Sequence, residues 1–502
     1  MKNNPFFFTF IFATIFFFAK NASAQSTSGT LVDKSTQETI PFATVQLGEN
    51  YGVITNQEGN FNINTMGFVE NDSLVFSSMG YETKSISLKD FKQDTVYLIK
   101  NVEELGQVLL LEKNLTAEEI MIKVNENLEK NYGNSLTKST VFHRQQVGNN
   151  FYDMGFKIKK AEFIEKKIRK EFNKSVDSLL SGLKGETSRS FFSNLSEVLV
   201  GSNDSLTKDS LKVRVLKGTH LVNEEKSLST DKLQKKVMKT LLEKLKTSNT
   251  FKLRTSILTL EDSLDLSEIK MDESEVDSIK PSYIRGQLGW MLKKTADKEN
   301  FDFITDYDDY DYTIESISMF DGEPIYIISF VRATGLFSGN GRFAGTLFVS
   351  ADSFAVVKAI YHFAEGEQGR KLNLKFLLGV KFAQKEQSGT ILFQKNENGK
   401  YSPKYIQSSQ KGYGYFSRKF VLKENDKRKD RMKLKFDFTI EMDFSQNEEW
   451  VFLNTEPISK SQFHNFEENE GVMEEKIEKY DPKIWEKYNV LSPTKAIREY
   501  EY

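Results

Sequence analysis

Between Ser28 and about Leu111 the chain alternates apolar and polar residues in short runs separated by turn residues, the pattern of a small β-sandwich. Thr30–Asp33, Pro41–Leu47, Tyr51–Thr55, Asn60–Asn64, Leu74–Ser78, Thr83–Leu88 and Thr95–Ile99 each predict a strand. Asn56-Gln57-Glu58-Gly59-Asn60 predicts a hairpin turn in which Gly59 takes the positive φ that ends such loops. After it, Phe61 and Ile63 alternate with Asn60, Asn62 and Asn64, which buries one face and wets the other.

The period then changes. Thr116 and Glu119 form a capping box, and Ile120, Met121, Val124 and Leu128 make one apolar helical stripe that Gly133 ends. Tyr152, Met154, Phe156 and Ile158 alternate as a strand. Ala161 to Leu183 returns to helical spacing, with Ile164, Ile168, Phe172, Val176 and Leu180 in line. Lys159, Lys160, Lys166, Lys167, Arg169, Lys170 and Lys174 surround that line, which suits a helix lying on an anionic membrane. Glu162, Glu165 and Glu171 dilute the charge and favour a core-facing helix with a basic solvated side. Leu233, Val237, Leu241 and Leu245, with Met238 and Leu242, predict a second amphipathic helix, and Gly201 to Ser210 and Asp272 to Asp277 read as exposed loops.

From about Tyr312 to Leu453 strand alternation dominates. Tyr326–Phe330, Gly341–Val349, Phe354–Phe363, Leu372–Leu378, Gly389–Gln394, Tyr401–Gln407, Arg418–Leu422 and Leu434–Met442 predict a long antiparallel meander.

The first two dozen residues stand apart. Lys2 precedes a nearly all-apolar run from Pro5 to Ala19, and Ala22-Ser23-Ala24 is a small-x-small site for signal peptidase, so a signal peptide of residues 1–24 is expected, with Gln25 first in the mature chain. The run is shorter than the ~20 residues that span a bilayer as a helix. With no cysteine in the chain, an acylated lipoprotein anchor, disulfides and thiolate metal sites are not expected. A 38% hydrophobic, 13% aromatic composition is too apolar for a disordered chain. Losing Lys2 and Lys20 moves the formal net charge from −2 (69 basic against 71 acidic residues) to −4 (67 against 71), which gives no general attraction to nucleic acid or to anionic membranes.

Gly29, Ile40-Pro41-Phe42-Ala43-Thr44-Val45, Thr55-Asn56-Gln57-Glu58-Gly59-Asn60-Phe61, Ser77-Ser78-Met79-Gly80-Tyr81 and Leu105-Gly106-Gln107-Val108 occur in the order that resembles the carboxypeptidase regulatory-like domain. That resemblance implies a transthyretin-like or immunoglobulin-like β-sandwich, common in Gram-negative envelope proteins and without peptidase chemistry of its own. Gly345 to Val356 resembles the hairpin of lipoprotein-sorting-like half-barrels. The order of sandwich, helix and meander is similar to the periplasmic part of an uncharacterised outer-membrane family whose members continue into a transmembrane barrel. Room for such a barrel is missing here, which puts membrane insertion in doubt.

Chemistry is scarce. The four histidines are His143, His220, His362 and His464. His362 with Glu365 and His464 with Glu467 form H-x-x-E patterns, half of a zinc carboxypeptidase site that would need a distant third ligand. Strand alternation gives His362 a simpler place on a sheet face, in line with Phe354, Val356 and Ile360. Asp306, Asp308, Asp309 and Asp311 could gather calcium but lack the glycine and terminal Glu of an EF-hand loop, so a solvated loop is favoured. There is no G-x-S-x-G elbow and no phosphate-binding loop, and the glycines around Ser338 to Gly341 fit a hairpin.

The expected architecture is therefore β-rich α+β. A signal peptide (1–24) leads into a transthyretin/immunoglobulin-like sandwich (26–111), followed by a mixed helical and strand region (112–300), a curved antiparallel β-meander (301–455) and a tail with a short helix (456–502). No catalytic, cofactor-binding or metal-ligating residue is assigned, and no cofactor or nucleic acid is expected. The expected role is non-enzymatic binding or scaffolding by an exported protein, in the periplasm or associated with the outer membrane. Its partner would be an envelope protein or a lipid-like ligand on the concave apolar face of the sheet. A zinc hydrolase built on His362 and Glu365 is the alternative.

Overall fold

Among the described residues, seven short strands form in the first hundred positions. They are β1 (Ser26–Asp33), β2 (Thr44–Leu47), β3 (Gly52–Ile54), β4 (Asn60–Asn64), β5 (Ser73–Ser77), β6 (Lys84–Ser87) and β7 (Thr95–Leu98). Of these, β2, β4, β5 and β7 each bury one alternating set of side chains. The computed structural model describes residues 26–48, 51–92, 94–101, 115–132, 136–182, 184–185, 187–201, 210–222, 250–255, 258–265, 278–296, 302–320, 322–333, 342–427 and 431–500. These fall into two units, Met1–Asn101 with Asp481–Ala496, and Val102–Tyr480 with Ile497–Tyr502.

In the first unit, a three-stranded sheet ordered β4-β1-β7 faces a four-stranded sheet ordered β3-β2-β5-β6. Leu31, Phe61, Ile63 and Val96 of one sheet pack against Val45, Leu47, Leu74 and Phe76 of the other, the sandwich that the alternation predicted. The hairpin turn is as expected. Gly59 has φ +74°, and a Cβ there would lie 2.9 Å from the Leu31 carbonyl oxygen and from Thr39 Cβ. Asn56 Oδ1 accepts from the Glu58 and Asn60 backbone N–H groups at 2.9 Å each. The Asn56 side-chain amide donates to the carbonyls of Ser492 (3.3 Å) and Pro493 (3.1 Å), and Asn489 Oδ1 accepts from the Asn64 N–H at 3.0 Å. A segment more than four hundred residues distant in sequence thus completes this unit.

The second unit opens with α1 (Ala117–Glu126), whose Thr116–Glu119 capping box forms as read, and α2 (Leu128–Asn131). Then come β8 (Thr137–Ala161), α3 (Lys166–Ser181), β9 (Thr187–Val200), β10 (Leu211–Leu221), β11 (Phe251–Thr255), β12 (Thr259–Leu264), β13 (Ser278–Ile279), α4 (Pro281–Ala296) and α5 (Asp302–Thr305). The meander proper is β14 (Tyr310–Phe320), β15 (Glu323–Arg332), β16 (Phe343–Ser350), β17 (Val356–Phe363), β18 (Lys371–Leu374), α6 (Lys375–Leu378), β19 (Val380–Lys395), β20 (Tyr401–Glu424) and β21 (Lys433–Pro457). It is followed by α7 (Lys460–His464), β22 (Val472–Met473) and β23 (Glu475–Ile477).

One curved sheet of fourteen strands runs β14-β15-β16-β17-β19-β20-β21-β8-β9-β10-β23, with β11, β12 and β18 attached beside it. The hairpin β16–β17 is the one read at Gly345 to Val356. Helices α1, α4 and α5 pack on one face: Ile120, Met121, Val124, Ile284, Leu288, Met291 and Phe303 share a core with Val213, Ile328, Leu347, Ile406 and Trp450. Helix α3 packs on the far end of β8, where Asn173 accepts from the Ile158 N–H and donates to its carbonyl, both at 2.9 Å, closing a strand edge that β9 no longer covers.

Several boundaries differ from expectation. Tyr401–Gln407 and Arg418–Leu422 are parts of one strand, because β21 pairs with β20 from Tyr405 through Lys423 and leaves no room for a turn at the intervening glycines. Leu372–Leu378 is a strand only to Leu374, after which one helical turn ends at Gly379 in the left-handed conformation. Tyr152 does not share a face with Met154 and Phe156. A bulge in the β8–β21 pairing skips Tyr152, so Phe151 stands opposite Met442 while Met154 stands opposite Ile440. Phe354 sits in a turn at φ +55° rather than in the strand of His362. Helix α3 begins after Ile164, and Ile168 is 53% exposed, so its buried side is narrower than the stripe suggested. Residues 1–24, Leu105 to Val108, Gly133, the helix read at Leu233 to Leu245, most of the two loop segments and Ser338 to Gly341 lie outside the described residues. Among the described residues no helix is long and apolar enough to cross a membrane.

Candidate functional site

Successive side chains of a strand point to opposite faces, so the even-numbered residues of β21 line the face that carries the helices, where Trp450 enters the core. Away from Trp450 that row reads Glu448, Gln446, Phe444, Met442, Ile440, Phe438 and Phe436. Its β20 partners are Ser408, Gln410, Gly412, Gly414, Phe416, Arg418 and Phe420, in unbroken register. The same face therefore changes from buried apolar, to polar, to aromatic within one strand.

The polar step is the floor of a pocket of about 320 Å³ lined by Gly286, Gln287 and Trp290 of α4 and by Ser408, Gln410, Gln446 and Glu448 of the sheet. Its side chains form a chain of hydrogen bonds. The Gln410 amide donates to Gln446 Oε1 at 3.0 Å, the Gln446 amide donates to Glu448 Oε1, and the Gln145 amide donates to that oxygen at 2.9 Å. Glu448 is buried. Gln287 donates to the Tyr283 hydroxyl at 2.8 Å and leaves its own buried Oε1 without a partner. Burial, with Glu448 and Glu474 nearby, raises the Tyr283 hydroxyl above its ordinary range despite the bond from Gln287. None of the seven lining residues is basic, so the pocket offers acceptors and suits hydroxyl or ammonium donors better than a bare anion.

Beyond it the aromatic step is a partly exposed ramp. Phe444 lies across Gly412, where a Cβ would come within 2.4 Å of its ring, and stacks on Phe382 with centroids 5.8 Å apart. Phe416, Phe438, Phe420 and Phe436 continue the packing at 5.1–6.1 Å. On β21 the row Phe444, Met442, Ile440, Phe438 and Phe436 is continuously apolar, while on β20 Arg418 interrupts it between Phe416 and Phe420; a partly exposed apolar row of this kind marks a binding face more often than a solvent face.

The residues singled out from sequence do not join this site. His143 is buried under α4's side of the sheet, stacked on Trp450 and bonded through Nδ1 to the Asn194 amide at 2.9 Å. His220 stacks on Phe192 at 3.9 Å and faces Glu474, with 3.4 Å between Nδ1 and the carboxylate. His362 and Glu365 are both exposed, and His362 Nδ1 meets the carbonyl of the adjacent Phe363 at 2.8 Å. His464 ends α7, exposed. Asp306 and Asp308 are exposed at a short turn before β14, and Asp311 is exposed within that strand. Among the described residues no three His, Asp or Glu side chains are grouped to hold a metal ion. Sequence reasoning missed Gln446 and Glu448 because it ended the last strand at Met442, missed Gln410 because it fell between two expected strands, and missed Trp290 because that residue's place depends on how α4 lies over the sheet.

Residues 27–110 match the family model of the CarboxypepD_reg-like domain, as the sequence blocks indicated. Comparison with curated proteins returns no match. Among solved structures, the chain is similar to a LolA superfamily protein from Nitrosomonas europaea, with 9% identity, 70% of this chain and 97% of that chain covered, and a TM-score of 0.18. It is also similar to a DUF1329 family protein from Desulfovibrio piger, with 8% identity, 70% and 98% covered, and a TM-score of 0.19.

Proposed function

We propose that this is an exported, non-catalytic binding protein of the cell envelope that holds a lipid-like amphiphile on its large sheet. The headgroup occupies the pocket of Trp290, Gln410, Gln446 and Glu448, and the apolar chain lies along Phe444, Met442, Ile440 and Phe438. One observation carries this reading: the unbroken β20–β21 register puts a polar, acceptor-rich pocket and an aromatic ramp end to end on the same face. An amphiphile has that polarity sequence, and burying its chain contributes ~0.8 kcal/mol per methylene. The sheet surface nearest the helices is filled by α1, α4 and α5, so the ligand lies beyond the core rather than inside it. Export is supported by the Phe-rich leader with its Ala22-Ser23-Ala24 site and by the regulatory-like domain at 27–110.

Organic extraction of protein purified from its native envelope without detergent tests the proposal. A near-stoichiometric amphiphile, depleted in Met442→Asp, is expected; protein that is folded and free of lipid would count against it.

A further inference from the structure

The turn between β18 and β19 projects a small apolar tip. Phe376 is 103% exposed and Leu377 66%, with Leu372 (44%) and Phe382 (37%) on the strands below. The tip is firmly built. Gly379 closes α6 at φ +61°, the Gly379 N–H bonds the Lys375 carbonyl at 3.0 Å, and the Ser417 N–H bonds the Gly379 carbonyl at 2.8 Å. A Cβ at position 379 would lie 2.0 Å from the Ser417 carbonyl oxygen, so only glycine permits this geometry.

The chain segment that builds the tip carries charge of one sign, while Glu441 and Asp443 of β21 stand opposite Tyr415 and Tyr413 beneath it. The eighteen residues between Glu367 and Glu386 contain no acid and five bases, Arg370, Lys371, Lys375, Lys381 and Lys385. Lys385 pairs with Asp443 at 2.7 Å, whereas the other four make no ion pair among the described residues. Lys375 and Lys381 instead lie over the rings of Tyr415 (4.1 Å) and Tyr413 (5.2 Å). Two projecting apolar side chains, a cationic collar and tyrosines beneath it have the layering of a bilayer interface: hydrocarbon, anionic headgroups, then the aromatic belt.

We infer that the Phe376–Leu377 tip inserts into the surface of an anionic lipid bilayer, with Arg370, Lys371, Lys375 and Lys381 meeting the headgroups. A protein partner fits less well, because a four-residue convex turn offers far less than the ~800 Å² per side of a stable interface. A bilayer needs no complementary pocket, and basic groups near an anionic surface strengthen binding about fivefold each. Phe376 and Leu377 lie outside the residues proposed to hold the amphiphile, so the two readings are tested separately, and only Phe382 beneath the tip also touches that site through Phe444.

The test is co-sedimentation of the processed chain beginning at Gln25 with vesicles of phosphatidylethanolamine doped with phosphatidylglycerol, against vesicles of phosphatidylcholine alone. Wild type is expected to sediment with the anionic vesicles, less at high salt, while Phe376→Ser/Leu377→Ser loses about tenfold or more in affinity. Lys371→Glu/Lys381→Glu should lose a comparable factor, and unchanged thermal melting of both variants would show that they fold. Failure of wild type to bind anionic vesicles, equal binding by the folded tip variant, or self-association that Phe376→Ser abolishes would each overturn the inference.

Discussion

His143 lies flat against Trp450, ring centroids 3.7 Å apart and planes at 15°, in the part of the sheet covered by α4. Desolvation pushes its imidazole down to about 3, and its Nδ1 bonds the Asn194 amide. That bond requires the unprotonated nitrogen as acceptor, so the neutral ring is part of the packing.

A pH dependence follows from that contact. The folded protein holds His143 neutral where the unfolded chain protonates it, so the stabilisation is complete above the ordinary imidazole value of about 6.5 and is lost as pH falls toward 3. The slope is about 1.4 kcal/mol per pH unit. Between pH 7 and pH 5, His143→Phe should therefore reduce the loss of unfolding free energy by about 2 kcal/mol relative to wild type, measured by urea titration. Parallel losses in the two proteins would contradict the assignment.

Gly59→Val should loosen the first unit. Its φ of +74° is poorly tolerated by a β-branched residue, and the new Cβ would crowd Leu31 and Thr39, a cost of about 1–3 kcal/mol. Hydrogen exchange should accelerate in β1 to β7 and remain unchanged in β8 to β21. Unaltered exchange in β1 and β4 would count against the hairpin.

Asn56→Ala removes the acceptor of the Glu58 and Asn60 N–H groups together with the donor to Ser492 and Pro493. Leaving buried groups unpaired costs about 1–3 kcal/mol. Faster exchange is expected in residues 481–496 as well as in the hairpin; protection retained in that segment would show that Asn56 does not hold it.

How far sequence reaches depends on where the pattern is local. Phe61 and Ile63, the Gly59 turn and the Thr116–Glu119 cap are set by residues within a few positions, and all appear where alternation and capping rules place them. The long strands were harder. Lys411 to Ser417 contains Gly412 and Gly414 and falls between two expected strands, yet pairing with β19 and β21 on both sides keeps it extended. Tyr152 was assigned to the wrong face because a bulge inserts one residue without any local signal. The pocket was missed for a related reason. Continuing the even-numbered row of β21 past Met442 would have exposed Gln446 and Glu448 as polar interruptions between Phe444 and Trp450. The contributions of Trp290 and Gln287 depend on how α4 lies over the sheet, a non-local fact.

The proposed export of the chain makes a separate prediction. Mass analysis of the N-terminus of protein from the native envelope should find Gln25 first, because Ala22-Ser23-Ala24 meets the small-x-small requirement. Retention of the Phe-rich segment would show that it anchors the chain instead.

The central claim is that one face of the sheet holds headgroup and chain in sequence, and fluorescence of Trp290 tests it most directly. The processed protein is titrated with a single-chain amphiphile brominated beside its hydroxyl-bearing headgroup, and Trp290→Phe corrects for Trp450 and Trp485. The account predicts saturable quenching specific to Trp290, about tenfold weaker in Phe438→Asp, because a charge replaces the apolar side chain against which the tail packs. Quenching that fails to saturate, or that is the same in wild type, Trp290→Phe and Phe438→Asp, would contradict it.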